Sequence, residues 1–112
     1  KIGNLYVTDD TNQIKKISIK KGLIKTFGSE GKSPGQFMKP KGIAIWNDLF
    51  LVICDSMNGR VQFFTKDGDF ITSVEKFGKT NLASPYGVET DDFGNLYIID
   101  KQLSVLIKVY EF

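Results

Sequence analysis

Three aspartates are the residues whose spacing first suggests chemistry. Asp9, Asp55 and Asp100 each close a short apolar run, and they lie 46 and 45 residues apart. Recurring carboxylates could act as metal ligands or as general acids and bases. They could instead accept backbone N–H groups of the turn that follows each run. Because Arg60 could bind the Asp55 carboxylate in a bidentate pair, the sequence favours a structural turn at all three positions.

Several groups that catalysis commonly uses are missing from the chain. It contains no histidine, the commonest general base near neutral pH and a common zinc ligand. Its single cysteine, Cys54, lies within an apolar run and is expected to be a small core side chain. Gly31-Lys32-Ser33 matches the end of a phosphate-binding loop, but Thr26 stands where the loop needs a glycine and Pro34 where its helix would begin. We therefore expect no catalytic residue, no metal and no cofactor.

The elements that position these aspartates are short strands in a repeat. Pro40-Lys41-Gly42-Ile43 recurs as Pro85-Tyr86-Gly87-Val88, an offset of 45 residues that agrees with the aspartate spacing. Within one period, Asn, Asp and Gly separate four runs rich in Ile, Val, Phe and Thr, which are Ile43–Trp46, Phe50–Cys54, Val61–Thr65 and Phe70–Val74. Four antiparallel strands repeating about every 45 residues are typical of a β-propeller blade. The sequence thus predicts an all-β propeller with almost no helix.

The middle period resembles the NHL repeat. The matching positions are Pro40-x-Gly42, then Asp55-Ser-x-Asn58-x-Arg60-Val61-Gln62-x-Phe64, then Asp67-Gly68-x-Phe70. The first unit departs from this pattern by lacking the Arg, and the third lacks both Asn and Arg. The resemblance implies a six-bladed propeller that serves as a rigid binding platform, as in TRIM-type ubiquitin ligases. A related minority of propellers are enzymes, notably amidating lyases and lactonases, which use His or metal ions.

The chain is too short to close such a ring. We expect residues 1–27 to form the last three strands of one blade, residues 42–76 a complete blade, and residues 86–112 the first three strands of a third. Closed propellers need at least about four blades. Further blades or other copies are therefore expected to close the ring.

Positive charge is concentrated in the first part of the chain. Residues 1–41 carry nine lysines and three acidic residues, whereas residues 42–112 carry six basic and ten acidic side chains. Propeller topology brings the loops before each first strand and after each second strand to one face. The binding candidates on that face are Lys39, Lys41, Asn58, Arg60, Lys79 and Tyr86. Basic groups interleaved with an aromatic ring suit a phosphate backbone with stacked bases, although the same residues could form an ordinary solvated surface.

The expected function is a non-enzymatic binding or scaffold module with a protein partner. The first alternative is a propeller that binds single-stranded RNA, and the second is a fragment of a propeller enzyme of the lyase or lactonase type. No apolar run approaches the ~20 residues of a membrane helix. We therefore expect no membrane partner and a cytoplasmic location.

Overall fold

A computed structural model of the chain describes residues 3–109. Its regular structure is β-strand apart from one short 3₁₀ turn, Ser56–Asn58. The strands are β1 (Asn4–Thr8), β2 (Ile14–Ser18), β3 (Gly22–Phe27), β4 (Pro40–Trp46), β5 (Phe50–Asp55), β6 (Arg60–Thr65), β7 (Phe70–Val74), β8 (Lys76–Phe77), β9 (Thr80–Asn81), β10 (Pro85–Thr90), β11 (Leu96–Asp100) and β12 (Val105–Val109). Within the described residues, no helix is long and apolar enough to cross a membrane.

Most strands pair with their chain neighbours to form three antiparallel sheets. The first sheet is β1-β2-β3, the second is β4-β5-β6-β7, and the third is β10-β11-β12. The predicted all-β fold, with four-stranded antiparallel units and an incomplete ring, is confirmed. The outermost residues of the two predicted end units, 1, 2 and 110–112, lie outside the described residues.

One element has no counterpart among the sequence predictions. Strands β8 and β9 form a two-stranded hairpin between the second and third sheets, with Lys76 opposite Asn81 and Phe77 opposite Thr80. Gly78 supplies the left-handed backbone of the turn, with φ of 60°. Strands of two residues are too short to show an alternating pattern. The hairpin is held in place by Phe77, which packs against the core of the second and third sheets.

The two central strands of the second sheet, β5 and β6, are buried on both sides, which explains their apolar sequences. Alternate residues of a strand point to opposite faces. In β5, Leu51 and Ile53 pack toward the first sheet with Ile14, Phe37 and Phe64. The intervening residues of β5 pack toward the third sheet, in a core cluster made of Trp46, Val52, Cys54, Val61, Phe63, Leu82, Val88, Leu96, Ile98 and Val109. A strand buried on both faces reads as a continuous hydrophobic run.

The first strands of the second and third sheets approach each other closely at the Pro-x-Gly motif. A Cβ added to Gly42 would lie 2.8 Å from the Tyr86 carbonyl oxygen and 2.9 Å from the Cα of Gly87. No side chain fits between these two backbones. Gly42 is therefore required by the packing of these two inner strands.

Within residues 3–109, nothing covers the outer faces of the first and third sheets. Tyr6 of β1 packs toward the second sheet, and its neighbours Leu5 and Val7 are exposed on the other side. On the third sheet, Ile99 and Leu106 lie opposite each other in the pairing of β11 with β12, and both are exposed. Each end of the stack thus presents an apolar sheet face to water.

These faces predict that the 112-residue chain self-associates at micromolar concentration. Replacing Leu5 and Leu106 together with Ser should raise the apparent dissociation constant at least about tenfold, because burying one leucine contributes about 1.5–3 kcal/mol. The control is Leu49→Ser, since Leu49 is 63% exposed, like Leu106 at 64%, but lies in the β4–β5 turn. Sedimentation velocity checks the result. A wild-type chain that stays monomeric and folds cooperatively at that concentration contradicts it.

Candidate functional site

A buried carboxylate at the end of β5 gathers four hydrogen-bond donors. Asp55 is 0% exposed. Its Oδ1 accepts a bond from the backbone N–H of Met38 at 2.8 Å. Its Oδ2 accepts bonds from Asn58 Nδ2 at 2.9 Å, Arg60 Nε at 2.8 Å and Gln62 Nε2 at 3.1 Å. We call Asp55, Asn58, Arg60 and Gln62 the Asp55 hub.

Arg60 extends the hub to the segment that joins the first and second sheets. Its Nη1 donates to the Lys32 carbonyl at 2.9 Å, and its Nη2 donates to the carbonyls of Ser33 and Gln36 at 3.0 and 2.8 Å. A bidentate pair with Asp55 does not form, because these carbonyls occupy the Nη groups and leave only Nε for the carboxylate. The arginine therefore ties the connecting segment to the second sheet.

Two amide side chains complete this attachment. Asn58 Nδ2 also donates to the Gly31 carbonyl at 2.9 Å. Gln62 donates to the Gln36 carbonyl at 2.7 Å and accepts a bond from the Gly35 backbone N–H at 3.0 Å. Gln62 could have been found from the sequence, because it is a polar residue between Val61 and Phe63 in an apolar strand. A buried amide side chain at such a position needs hydrogen-bond partners.

The equivalent carboxylate of the third sheet is Asp100, and its hydrogen-bond donors do not include an arginine. The Asp100 carboxylate accepts backbone N–H bonds from Ala83 at 2.7 Å, Ser84 at 3.0 Å and Leu103 at 3.0 Å. Burial opposes ionisation of this carboxyl, but the N–H donors outweigh that effect and hold the Asp100 pKa below its ordinary value. Backbone donors thus replace the side-chain donors of the second sheet.

The first sheet carries the most exposed of the three carboxylates. Asp9 accepts hydrogen bonds from the Lys15 ammonium and from Thr11. These bonds, with that of Lys15 the largest effect, lower the Asp9 pKa to about 2. Lys15 lies opposite Val7, two residues before Asp9, just as Gln62 lies opposite Ile53, two residues before Asp55. Lys15 is thus the counterpart of Gln62.

The predicted binding residues divide into two groups. Lys39, Lys41, Lys79 and Tyr86 are exposed. Arg60 is only 6% exposed and, like the partly buried Asn58, is engaged in the Asp55 hub. Arg60 therefore does not lie on the exposed part of that face.

Tyr86 lies beside Lys101, which is not one of the six binding candidates predicted from the sequence. The Lys101 Nζ lies 4.8 Å from the centre of the Tyr86 ring, within cation–π range. The two residues are far apart in sequence, but they come together because the Lys101 backbone N–H donates to the Ser84 carbonyl at 3.0 Å. The sequence gives little indication of this contact, because a lysine that follows an aspartate does not by itself indicate an aromatic neighbour.

The turns and connecting segments form one surface. The Met57 backbone N–H donates to the Met38 carbonyl at 3.1 Å, and the hydroxyls of Ser56 and Ser84 are 2.9 Å apart. Lys39 is joined to the first sheet because its backbone N–H donates to Asn12 at 2.8 Å. We name the exposed residues of this surface the linker face, which comprises Lys39, Lys41, Met57, Tyr86 and Lys101. Lys79 lies at the turn of the β8–β9 hairpin.

Neither a metal centre nor a reactive thiol is built into the described part of the chain. Within residues 3–109, no group of three or more Cys, Asp or Glu side chains is placed to hold a metal ion. Burial, with a contribution from the charge of Asp100, raises the pKa of the Cys54 thiol to about 12. Such a thiol stays protonated at neutral pH, and thiolates are the nucleophilic form.

The chain is similar to curated proteins that are much longer. It is 31% identical over 108 residues to the protein brain tumor of Drosophila melanogaster, which matches 93% of this chain and 10% of that protein. It is 44% identical over 52 residues to the protein lin-41 of Caenorhabditis elegans, a match of 46% of this chain and 4% of the relative. No family model matches the chain. The homologues are NHL-repeat proteins, which confirms the predicted resemblance.

Solved structures place the fold among β-propellers. The WD40 β-propeller domain of Doa1 matches 97% of this chain with a TM-score of 0.70 and 16% identity, and the match covers 34% of that domain's chain. A streptogramin B lyase matches 96% of this chain with a TM-score of 0.69 and 18% identity, covering 37% of the lyase chain. At these identities the likeness concerns the fold alone. The chain is a partial propeller.

The burial of the Asp55 hub predicts a large effect of Asp55→Ala. The substitution should lower the free energy of unfolding by about 3–5 kcal/mol, because it leaves the buried Arg60 charge without its carboxylate. Asp9→Ala is the matched control at the equivalent position, where the ion pair with Lys15 is partly exposed and the loss should be smaller. Urea denaturation followed by circular dichroism measures both variants. Equal losses in the two variants contradict the prediction.

The lowered pKa of Asp100 predicts acid sensitivity. Because the folded-state pKa lies below the unfolded value near 3.8, the ionised carboxylate stabilises the fold above about pH 4 and that stabilisation is lost as pH falls through the folded pKa. Asp100→Asn should be less stable at pH 7 and should show a shallower loss between pH 5 and pH 2. Urea denaturation across this range checks it. Asp92→Asn, in the β10–β11 turn, is the control for removing one exposed acidic side chain. An Asp100→Asn protein that loses stability as steeply as this control contradicts the prediction.

Proposed function

We propose that this partial propeller, whose curated relatives are NHL-repeat proteins, is a non-enzymatic binding module whose linker face recognises a protein partner. The observation that carries the proposal is the exposed ring of Tyr86, 45% accessible, with the Lys101 ammonium against it. An exposed tyrosine with a fixed cationic neighbour is an anchor of the kind that dominates binding energy in protein interfaces.

The backbone beneath the linker face is held by partly buried hydrogen bonds. Arg60 fixes three carbonyls of the segment before β4, and Asp100 fixes the N–H groups of Ala83 and Ser84 before β10. Ordering this backbone on binding would otherwise cost affinity. A rigid surface supports a role as a platform.

The chemistry of the linker face fits a protein segment that carries acidic residues. Tyr86 and Met57 supply exposed aromatic and thioether surface, and both residue types are enriched in protein interfaces. Lys39, Lys41 and Lys101 add positive charge to the same face. A partner with carboxylates around an apolar centre would complement the charge of this arrangement.

Single-stranded RNA is the alternative partner, and one observation favours it. Tyr86 offers a ring on which a base can stack, and the neighbouring lysines can contact phosphates. The two proposals differ in salt dependence, because each phosphate contact contributes about −0.7 to the slope of log K against log salt for single strands.

The discriminating experiment uses Tyr86→Ala and Lys41→Ala in the 112-residue chain, tested on a purified protein captured by the wild type and on labelled single-stranded RNA. Tyr86→Ala should lower the affinity for the protein partner about tenfold or more, because it removes an aromatic anchor. The control is Phe93→Ala, because Phe93 is 89% exposed but lies in the β10–β11 turn on the opposite face. Isothermal titration calorimetry measures the affinity for the protein partner. Fluorescence anisotropy at several salt concentrations measures the affinity for the RNA.

Two results contradict recognition of a protein at the linker face. The first is a protein affinity that Phe93→Ala reduces as much as Tyr86→Ala does. The second is RNA affinity with a slope near −2 to −3, corresponding to three or four contacts, that Lys41→Ala reduces by about one contact's share. That second result assigns the face to RNA.

A further inference from the structure

Two of the three prolines in the chain follow a serine, and the two serines differ in their surroundings. They are Ser33, before Pro34, and Ser84, before Pro85. We propose that Ser33 is a phosphorylation site for a proline-directed protein kinase, and that a phosphate there weakens the binding of an acidic partner at the linker face. The effect on binding rests on the proposed function, whereas the modification itself does not.

The hydroxyl of Ser33 is accessible on a loop whose backbone is held in place. Ser33 and Pro34 are both exposed in the segment before β4. The Ser33 carbonyl accepts hydrogen bonds from the Gln36 backbone N–H at 2.9 Å and from Arg60 Nη2 at 3.0 Å. Within residues 3–109, the Ser33 hydroxyl itself forms no hydrogen bond. An enzyme can therefore reach this oxygen without breaking a hydrogen bond of the loop.

The conformation of the loop fits selection for proline. Ser33, Pro34 and Gly35 are the first three residues of a turn that is closed by the bond from the Gln36 N–H to the Ser33 carbonyl. Gly35 has φ of 83°, as a type II turn requires at its third residue. A residue before proline is biased to an extended backbone, which is the form in which protein kinases bind the residues around the acceptor hydroxyl. A kinase site that offers no acceptor for the next N–H selects proline, because proline has none.

Ser84 is the comparison within the same chain, because its hydroxyl is engaged. Its Oγ lies 2.9 Å from the Ser56 Oγ. Its backbone N–H donates to Asp100 at 3.0 Å, and its carbonyl accepts the N–H of Lys101 at 3.0 Å. Pro85, which the kinase would have to contact, is buried. Ser84 therefore becomes available to an enzyme only when this segment opens locally.

Phosphorylation of Ser33 is a phosphoryl transfer from ATP. The Ser33 Oγ attacks the γ-phosphorus, and the new bond joins these two atoms. The bond between the γ-phosphorus and the oxygen that bridges it to the β-phosphorus breaks, and ADP leaves. The hydroxyl proton passes to the catalytic base of the kinase. Ser33 supplies the nucleophile, and the kinase and ATP supply the rest.

A phosphate on Ser33 would change the charge at the border of the linker face. The Gly31 carbonyl accepts a hydrogen bond from Asn58 at 2.9 Å, and Met57 of the linker face directly precedes Asn58. The loop that carries Ser33 therefore borders the linker face at Met57. A phosphoserine adds a charge of about −1.5 to −2 near neutral pH. This charge offsets part of the positive charge of the three lysines of the face and repels a partner that carries carboxylates.

The test compares Ser33 and Ser84 in the folded 112-residue protein and in peptides of residues 28–38 and 79–89, each treated with ATP and a purified proline-directed kinase. Both peptides should be phosphorylated, because each contains the Ser-Pro motif without a fold around it. In the folded protein, Ser33 should react as fast as in its peptide. Ser84 should react at least about tenfold more slowly than in its peptide, which corresponds to a local opening of about 1.4 kcal/mol or more. Mass spectrometry of proteolytic fragments measures the phosphate on each serine.

The effect on binding is measured by fluorescence anisotropy with a labelled peptide in which four glutamates flank a Leu-Phe pair. Phosphorylated wild type should bind this peptide more weakly than untreated wild type, and the difference should shrink at high salt because salt screens the repulsion. The control is the Ser33→Ala protein, whose affinity for the peptide should be the same before and after treatment with the kinase.

Three outcomes overturn the proposal. Ser33 that reacts in the folded protein as slowly as Ser84 shows that the loop is closed to the kinase. Ser84 that reacts in the folded protein as fast as in its peptide shows that the kinase modifies opened chains and that the fold does not select Ser33. A peptide affinity that phosphorylation leaves unchanged removes the effect on binding. If untreated wild type does not bind the peptide at all, the proposed function is contradicted and the effect on binding with it, whereas the phosphorylation of Ser33 is decided by mass spectrometry alone.

Discussion

Burying the carboxylate of Asp55 is the constraint on which the rest of the structure depends. A charge withdrawn from water must be met by hydrogen bonds and an opposite charge, or the fold does not form. The donors come from three places, namely the segment before β4, the 3₁₀ turn, and β6. The hydrogen bonds to this one carboxylate therefore fix the positions of these three segments relative to one another. The connecting segment then cannot move independently of the second sheet, and the linker face inherits that rigidity.

The three sheets solve the same problem with different chemistry. The second uses an arginine and two amide side chains, the third uses backbone N–H groups, and the first uses a lysine and a threonine. Gln62 and Lys15 occupy equivalent positions, and Ile107, which lies opposite Ile98, is the third member of that set. Among the three sheets, the second has the most side-chain donors around its aspartate. It lies in the middle of the stack, where its central strands are covered on both faces.

Much of the fold could be predicted from sequence because strand alternation, turn residues and the 45-residue period are local signals. Asp55 and Arg60 could be paired because both are charged and few residues apart. The carbonyl partners of Arg60 could not, since every residue has a carbonyl and only the path of the chain selects Lys32, Ser33 and Gln36. The contact of the Lys101 ammonium with the Tyr86 ring could not be predicted for the same reason, because it depends on how the turn after β11 meets the segment before β10.

Cys54 makes the junction of the second and third sheets observable. Its side chain lies in the core cluster that both sheets share, and its pKa of about 12 keeps the thiol protonated. A thiol reagent in solution can reach the sulfur only when the two sheets separate, since the described structure leaves Cys54 no exposed surface. The rate at which Cys54 is modified therefore measures how often the two sheets separate locally. A global unfolding curve does not resolve this local opening.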